Sequence, residues 1–157
     1  MNDYSIACKK LVIECANLVK NYNYSKPLLE QIHKTSIVPF IDSIPFEFQK
    51  GHPQKVGIRT IYSHKNLRLS VYHLPKNLIM KMHDHPSMQV MTYVLAGNMK
   101  ARTLTHKKKN LFEQKIKDIG IKDIMTIDGI EDNMHEFVGG ENGCTFLDIL
   151  FPDYDED

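Results

Sequence analysis

An all-β sandwich or barrel, preceded by helices, is the fold class that this sequence predicts. Two patterns predict it. Ser5 to Lys20 repeats its apolar residues at helical spacing. From Val56 onward the chain is a series of short strand-like runs separated by turn signals, the pattern of a sandwich or barrel. A third feature hints at how the barrel is used: His83 and His85 flank one residue inside a strand-like run, and His135 stands in strand context far along the chain.

The elements follow in order. In the first helix Cys8, Leu11, Val12, Cys15, Ala16 and Val19 form one stripe, so the two cysteines read as small buried hydrophobes. Asn21 to Ser25 is a turn. Ser25 is placed to cap a second short helix, with Pro27 in its first turn, Leu28, Leu29 and Ile32 inward, and His33 on the surface. Between Ile37 and Pro53 the prolines Pro39, Pro45 and Pro53 predict an irregular connector, with no further helix.

Strands are expected at Val56–Ser63 and at Asn66–Leu74, where Leu67, Leu69, Val71 and His73 share a face. His73 thus faces inward, as a candidate pocket donor. Pro75-Lys76-Asn77 is a turn, and Leu78–His85 is the strand bearing the histidine pair. Met88–Leu95 and Met99–Thr105 flank Ala96-Gly97-Asn98, which reads as a tight hairpin. His106–Lys117, with Lys107, Lys108 and Lys109 in a row, reads as a solvated loop, or else one that steers substrate. Strands follow at Lys122–Ile127, Met134–Val138 and Cys144–Phe151, with Gly139–Gly143 a hairpin loop between the last two.

Composition narrows the function classes. The chain has 157 residues, enough for one core, and a net charge of +1 with mixed signs. That supplies no electrostatic argument for nucleic acid or an anionic membrane surface. No apolar run is long enough to span a bilayer, and the start of the chain lacks a signal peptide's basic and apolar regions. Cytosol or nucleus is the expected compartment. Three cysteines without a CxxC pair read as free thiols, Cys144 among them as a small buried residue.

Alternate strand residues point to one face, so His83 and His85 aim at one point, where two imidazoles suit a metal. His135 precedes the glycine-rich segment and the last strand. In an antiparallel barrel the two glycine segments can face each other and bring the three rings to one ion with open positions beside it.

The run His83-Asp84-His85-Pro86-Ser87-Met88 followed by Gly97 resembles the first cupin motif. It is closest to the signature of the plant cysteine oxidases and the cysteamine (2-aminoethanethiol) dioxygenases. Asn133-Met134-His135 resembles that family's third-ligand segment. Cys144 to Leu150, with Asp148, Pro152 and Tyr154, resembles its last strand. Where many metal cupins carry a glutamate ligand this chain has Val90.

The resemblance covers about Thr60 to Tyr154. It implies a cupin-type double-stranded β-helix, or jelly-roll barrel, holding Fe(2+) on His83, His85 and His135 with no organic cofactor. Residues 1–40 would then be a helical segment packing on the barrel, and 41–157 the cupin thiol dioxygenase domain. The implied partners are O2 and a thiol, either cysteamine or the N-terminal cysteine of a peptide in oxygen sensing.

Four departures bear on substrate preference. Ser87 stands for a usual glycine, Glu131-Asp132 for two glycines and Asp153 for a proline, and the segment from Thr105 to His135 is short. Asp148, in an apolar strand, needs a partner. It reads either as a structural carboxylate or, by the resemblance, as a catalytic residue contacting the substrate amine or the iron site. Tyr154 is a second catalytic candidate by the resemblance, or a terminal residue without a role. Outside the thiol dioxygenases, another metal-dependent cupin enzyme and a non-catalytic ligand-binding cupin stay open.

Overall fold

Helix α1 (Asp3–Asn21) starts where Asn2 can cap it: its side-chain oxygen accepts from the Ser5 amide at 2.8 Å. The computed structural model describes residues 2–35, 37–47, 52–85, 87–130 and 132–152. The buried stripe of α1 is Ala7, Cys8, Leu11, Cys15 and Leu18. Val12 and Val19 are only half-buried and Ala16 is exposed, so the inward face is turned slightly from the one the spacing suggested.

Helix α2 (Leu28–Thr35) begins just after Pro27. Its N-terminus is not capped by Ser25, whose hydroxyl donates to Asn23. The Leu28 amide instead donates to the buried Asp128 carboxylate at 3.1 Å, from a turn a hundred residues away. The same carboxylate accepts from Ile130 N at 2.7 Å. An acid is favourable at a helix N-terminus, and this one ties the helix to the barrel. Leu29, expected inward, is 40% exposed, while Gln31 takes a buried place and binds back to Asn23. Asp128→Ala is expected to lose about 1–2 kcal/mol of stability in urea unfolding, since it strips a helix cap. An unchanged midpoint would show that Asp128 does not hold α2.

The stretch expected to be an irregular connector contains a third helix, α3 (Ile37–Asp42), with Ile37 and Ile41 buried. Pro39 is tolerated because it falls in the first turn, where no amide partner is lost.

Seven antiparallel strands follow among the described residues: β1 (Gly57–His64), β2 (Leu67–Leu74), β3 (Ile79–Asp84), β4 (Gln89–Lys108), β5 (Leu111–Gly120), β6 (Ile124–Ile127) and β7 (Met134–Phe151). The architecture is mainly β with helices near the N-terminus, as the sequence predicts. Neither glycine segment is a hairpin, however. β4 and β7 each run straight through theirs and bend, so each strand serves two sheets.

One sheet is β1, β2, the second half of β7, the first half of β4, and β6; the other is β3, the first half of β7, the second half of β4, and β5. The bends meet. A side chain on Gly97 (φ +73°) would put its Cβ 2.1 Å from the Gly143 carbonyl oxygen. Glycine is present for close approach and a positive φ, with register shifts at Val94/Ala96 and Gly97/Met99, and not to reverse the chain.

The 106–117 stretch is likewise not a loop. It forms the ends of β4 and β5 around a turn at Asn110 (φ 59°). β5 is almost wholly exposed and held by its backbone ladder, so it carries no apolar alternation to read.

The first sheet is buried on both faces. Leu67, Leu69, Val71, Met91, Tyr93, Leu147, Ile149 and Phe151 pack under the helices. Val90, Val94, Phe137, Cys144, Phe146 and Leu150 fill the space between the sheets. His73 lies on the helix side of β2, where its Nδ1 is 3.0 Å from the Thr145 hydroxyl, so it is not a donor into the barrel interior.

Candidate metal centre

β3 and β7 pair so that His83 lies directly beside His135. His85 follows one residue after β3 ends. The ring centroids are 4.3 Å apart for His83 and His135, 4.9 Å for His83 and His85, and 5.0 Å for His85 and His135. One nitrogen from each ring falls within 4.8 Å of the others. Alternation turns Asp84, between the pair, out to solvent.

These rings suit a cation. His83 Nδ1 is 2.7 Å from the Lys81 carbonyl, which can only accept. The proton therefore sits on Nδ1, and Nε2 keeps a lone pair, the arrangement common among metal-bound imidazoles. His135 is 1% exposed, and its Nδ1 is buried without a hydrogen-bond partner. Burial holds His135 neutral well below the ordinary imidazole range and pushes His85 down to about 4. His135 also stacks on Phe137 at 4.5 Å, which fixes its plane. The group contains no carboxylate; Val90 is fully buried among apolar neighbours.

Asp148 is buried, with neighbours Phe146 and Leu150 facing between the sheets. By alternation it faces the same interior. His135 lies four residues before Gly139 and Asp148 five after Gly143, on opposite sheets. Ser70, Asp148 and Thr92 are cross-strand partners, and the Thr92 hydroxyl donates to Asp148 Oδ1 at 2.6 Å. Desolvation raises the Asp148 carboxyl to about 7, against the Thr92 hydrogen bond, which lowers it. Tyr154 lies outside the described residues.

Sequence reading missed Thr92, although it alternates with Val90 and Val94 on the inward side. It also missed a clamp on the approach to His135. The Asp132 carboxylate accepts from the Thr103 and Thr105 hydroxyls at 3.0 and 3.2 Å, and the Asp132 amide donates to Thr105 at 2.8 Å. Thr103 is the register partner of His135. Ser87 (φ 60°) and Asp132 (φ 52°) both keep the left-handed backbone that glycine adopts freely.

At 132 the strain is offset by the clamp. Asp132→Ala is therefore expected to lose about 1–3 kcal/mol in urea unfolding. Asp132→Gly should recover about 1 kcal/mol of that by relaxing the backbone. Equal stabilities for the two variants would remove the strain argument.

Among solved structures the fold resembles KdgF from Halomonas sp., with TM-score 0.53, 16% identity, and coverage of 71% of this chain and 90% of that one. It also resembles a cupin superfamily protein from Desulfitobacterium hafniense, with TM-score 0.54, 10% identity, and coverage of 67% and 84%. These likenesses establish a cupin fold. In sequence, 123 residues are 28% identical to a Dictyostelium discoideum protein named "Probable 2-aminoethanethiol dioxygenase". The match takes in 67% of this chain and 53% of that relative, so this chain spans about half the relative's length.

The model of the family PCO_ADO matches residues 28–157. That span opens at helix α2, takes in all seven strands and includes His83, His85 and His135. The chain belongs to the PCO_ADO family, that of the plant cysteine oxidases and the cysteamine dioxygenases.

Proposed function

We propose that this protein is a non-haem iron(II) thiol dioxygenase whose substrate is the N-terminal cysteine of a peptide or protein, with cysteamine as the smaller alternative. The observation that carries this is the set of three histidines without a carboxylate, which would leave a bound divalent cation its full charge and favour an anionic thiolate beside it. Iron(II), when bound, supplies the redox chemistry that adds both atoms of dioxygen to sulfur, RSH + O2 → RSO2H.

The chain's own groups do the rest. His83, His85 and His135 would hold the ion, the Lys81 carbonyl fixing the tautomer of His83. Phe137 and Phe146 pack edge to face at 5.4 Å and keep water from the interior. Asp148 would receive the ammonium of the aminoethanethiol unit. Thr92 engages Oδ1 of the carboxylate and leaves Oδ2 for the substrate. An ammonium there draws the raised carboxyl back to its charged form. In a cell such an enzyme would serve as an oxygen sensor, since its product marks a protein N-terminus.

The test is direct. The protein is purified without oxygen, its metal is measured, and cysteamine, free cysteine and a peptide beginning with cysteine are each supplied with O2. Mass spectrometry should find a two-oxygen addition on the peptide thiol. No such addition on any thiol would overturn the proposal.

A further inference from the structure

The β4–β5 hairpin outruns the rest of its sheet. β4 makes its last pair with β7 at Leu104 and Met134, next to Thr103 and His135, and then continues to Lys108 before turning into β5. The hairpin tip therefore stands beyond the histidines, as an arm at the end of the barrel where they lie. Strand rise puts Lys107–Lys109 about 13–20 Å beyond His135.

The arm is basic. From Leu104 to Gly120 it carries Lys107, Lys108, Lys109, Lys115 and Lys117 against Glu113 and Asp118, five positive and two negative, or +3. The whole chain is +1, so the remainder is −2, and the arm holds the charge asymmetry of the molecule. Lys107 pairs with Glu113 at 3.2 Å, and Lys115 lies 3.9 Å from Asp132. Lys108 and Lys109 are exposed and meet no carboxylate among the described residues. Leu111 and Phe112, 51% and 49% exposed, flank them.

We infer that the arm binds the acidic tail of a peptide substrate whose N-terminal cysteine occupies the histidine centre. This rests on the dioxygenase reading above. An extended peptide advances about 3.3–3.6 Å per residue, so residues five to seven after the thiol come level with the lysines. Acidic side chains there would meet two unpaired cations and one that shares a surface glutamate. Exposed ion pairs are individually weak, so the expected preference is about tenfold and is screened by salt.

The test uses the iron-loaded full chain and three C-terminally labelled peptides that begin with cysteine. They are identical except at residues five to seven, which are acidic, neutral or basic. Oxidation rates and, without oxygen, fluorescence anisotropy are measured at low and high salt for the wild type and for K107Q/K108Q/K109Q. The wild type should favour the acidic over the neutral peptide about tenfold in kcat/KM and in Kd. That ratio should fall toward one in the variant and at high salt.

Equal values for all three peptides overturn the arm, as does a preference that survives in the variant. So does lysine-dependent binding to phosphatidylserine vesicles with no peptide preference. Arm-dependent binding of the acidic peptide without any two-oxygen addition would sustain the arm and overturn the dioxygenase reading. Oxidation without charge preference would do the reverse.

Discussion

His135→Ala should abolish stoichiometric iron binding, with a loss of affinity of at least about a hundredfold. Even the removal of a partner outside a metal's ligand set costs about 10–100-fold, and His135 is one of only three rings in the group. It is also the ring held by β7 rather than by the β3 end, so its loss leaves His83 and His85 without a partner across the strand pair. The measurement is metal content after anaerobic loading, read beside thermal unfolding with and without iron. Iron at a hundred times the wild-type Kd should stabilise the wild type by about 2.7 kcal/mol and the variant by no more than about 0.4 kcal/mol. His33→Ala, which alters an exposed histidine on α2, is the control and should keep the full shift. A His135→Ala protein that retained full iron would overturn the ligand assignment.

Asp148→Asn should make the protein more stable above neutral pH and less active. Burial raises the Asp148 carboxyl to about 7, whereas an unfolded chain releases the same proton near 3.9. A raised acid contributes stability that is full below the unfolded value and is lost as pH rises through the folded one. The wild type should therefore weaken relative to the asparagine variant between about pH 4 and pH 7, by up to about 4 kcal/mol. Histidine titration in the same range is common to both proteins and cancels in the difference.

Urea unfolding of the metal-free proteins at pH 5 and pH 8 reads this directly. A wild-type-to-variant difference that is equal at the two pH values would contradict it. On the proposed contact of Asp148 with the substrate ammonium, the same substitution should raise KM for the thiol about tenfold or more.

The limits of sequence reading show at particular residues. Gly97 and Gly139–Gly143 carry the composition of tight turns, yet each is a bend at which one strand passes between sheets. Local sequence cannot separate the two, because the reason for glycine at 97 is that a side chain there would stand 2.1 Å from a carbonyl oxygen forty-six residues away. β5 is unreadable because all of it but Lys115, Ile119 and Gly120 is exposed to water. Ser25 is the capping residue nearest to α2 in the sequence, whereas Asp128 reaches the helix only through the fold.

The sequence by itself determined the fold class, the order of most strands, and the three histidines as one candidate group. The strands rest on period-two spacing and the first two histidines on the single residue between them; His135 joins them through its strand context and the family resemblance of Asn133-Met134-His135. The tertiary structure alone decided what surrounds them. The pairing of β3 with β7 brings His135 beside His83. Register across β2, β7 and β4 sets Thr92 on Asp148, and the clamp on Asp132 closes from β4. The extra length of β4 and β5 carries the lysines past the histidines. These are contacts between residues distant in the chain, and only the register of paired strands specifies them.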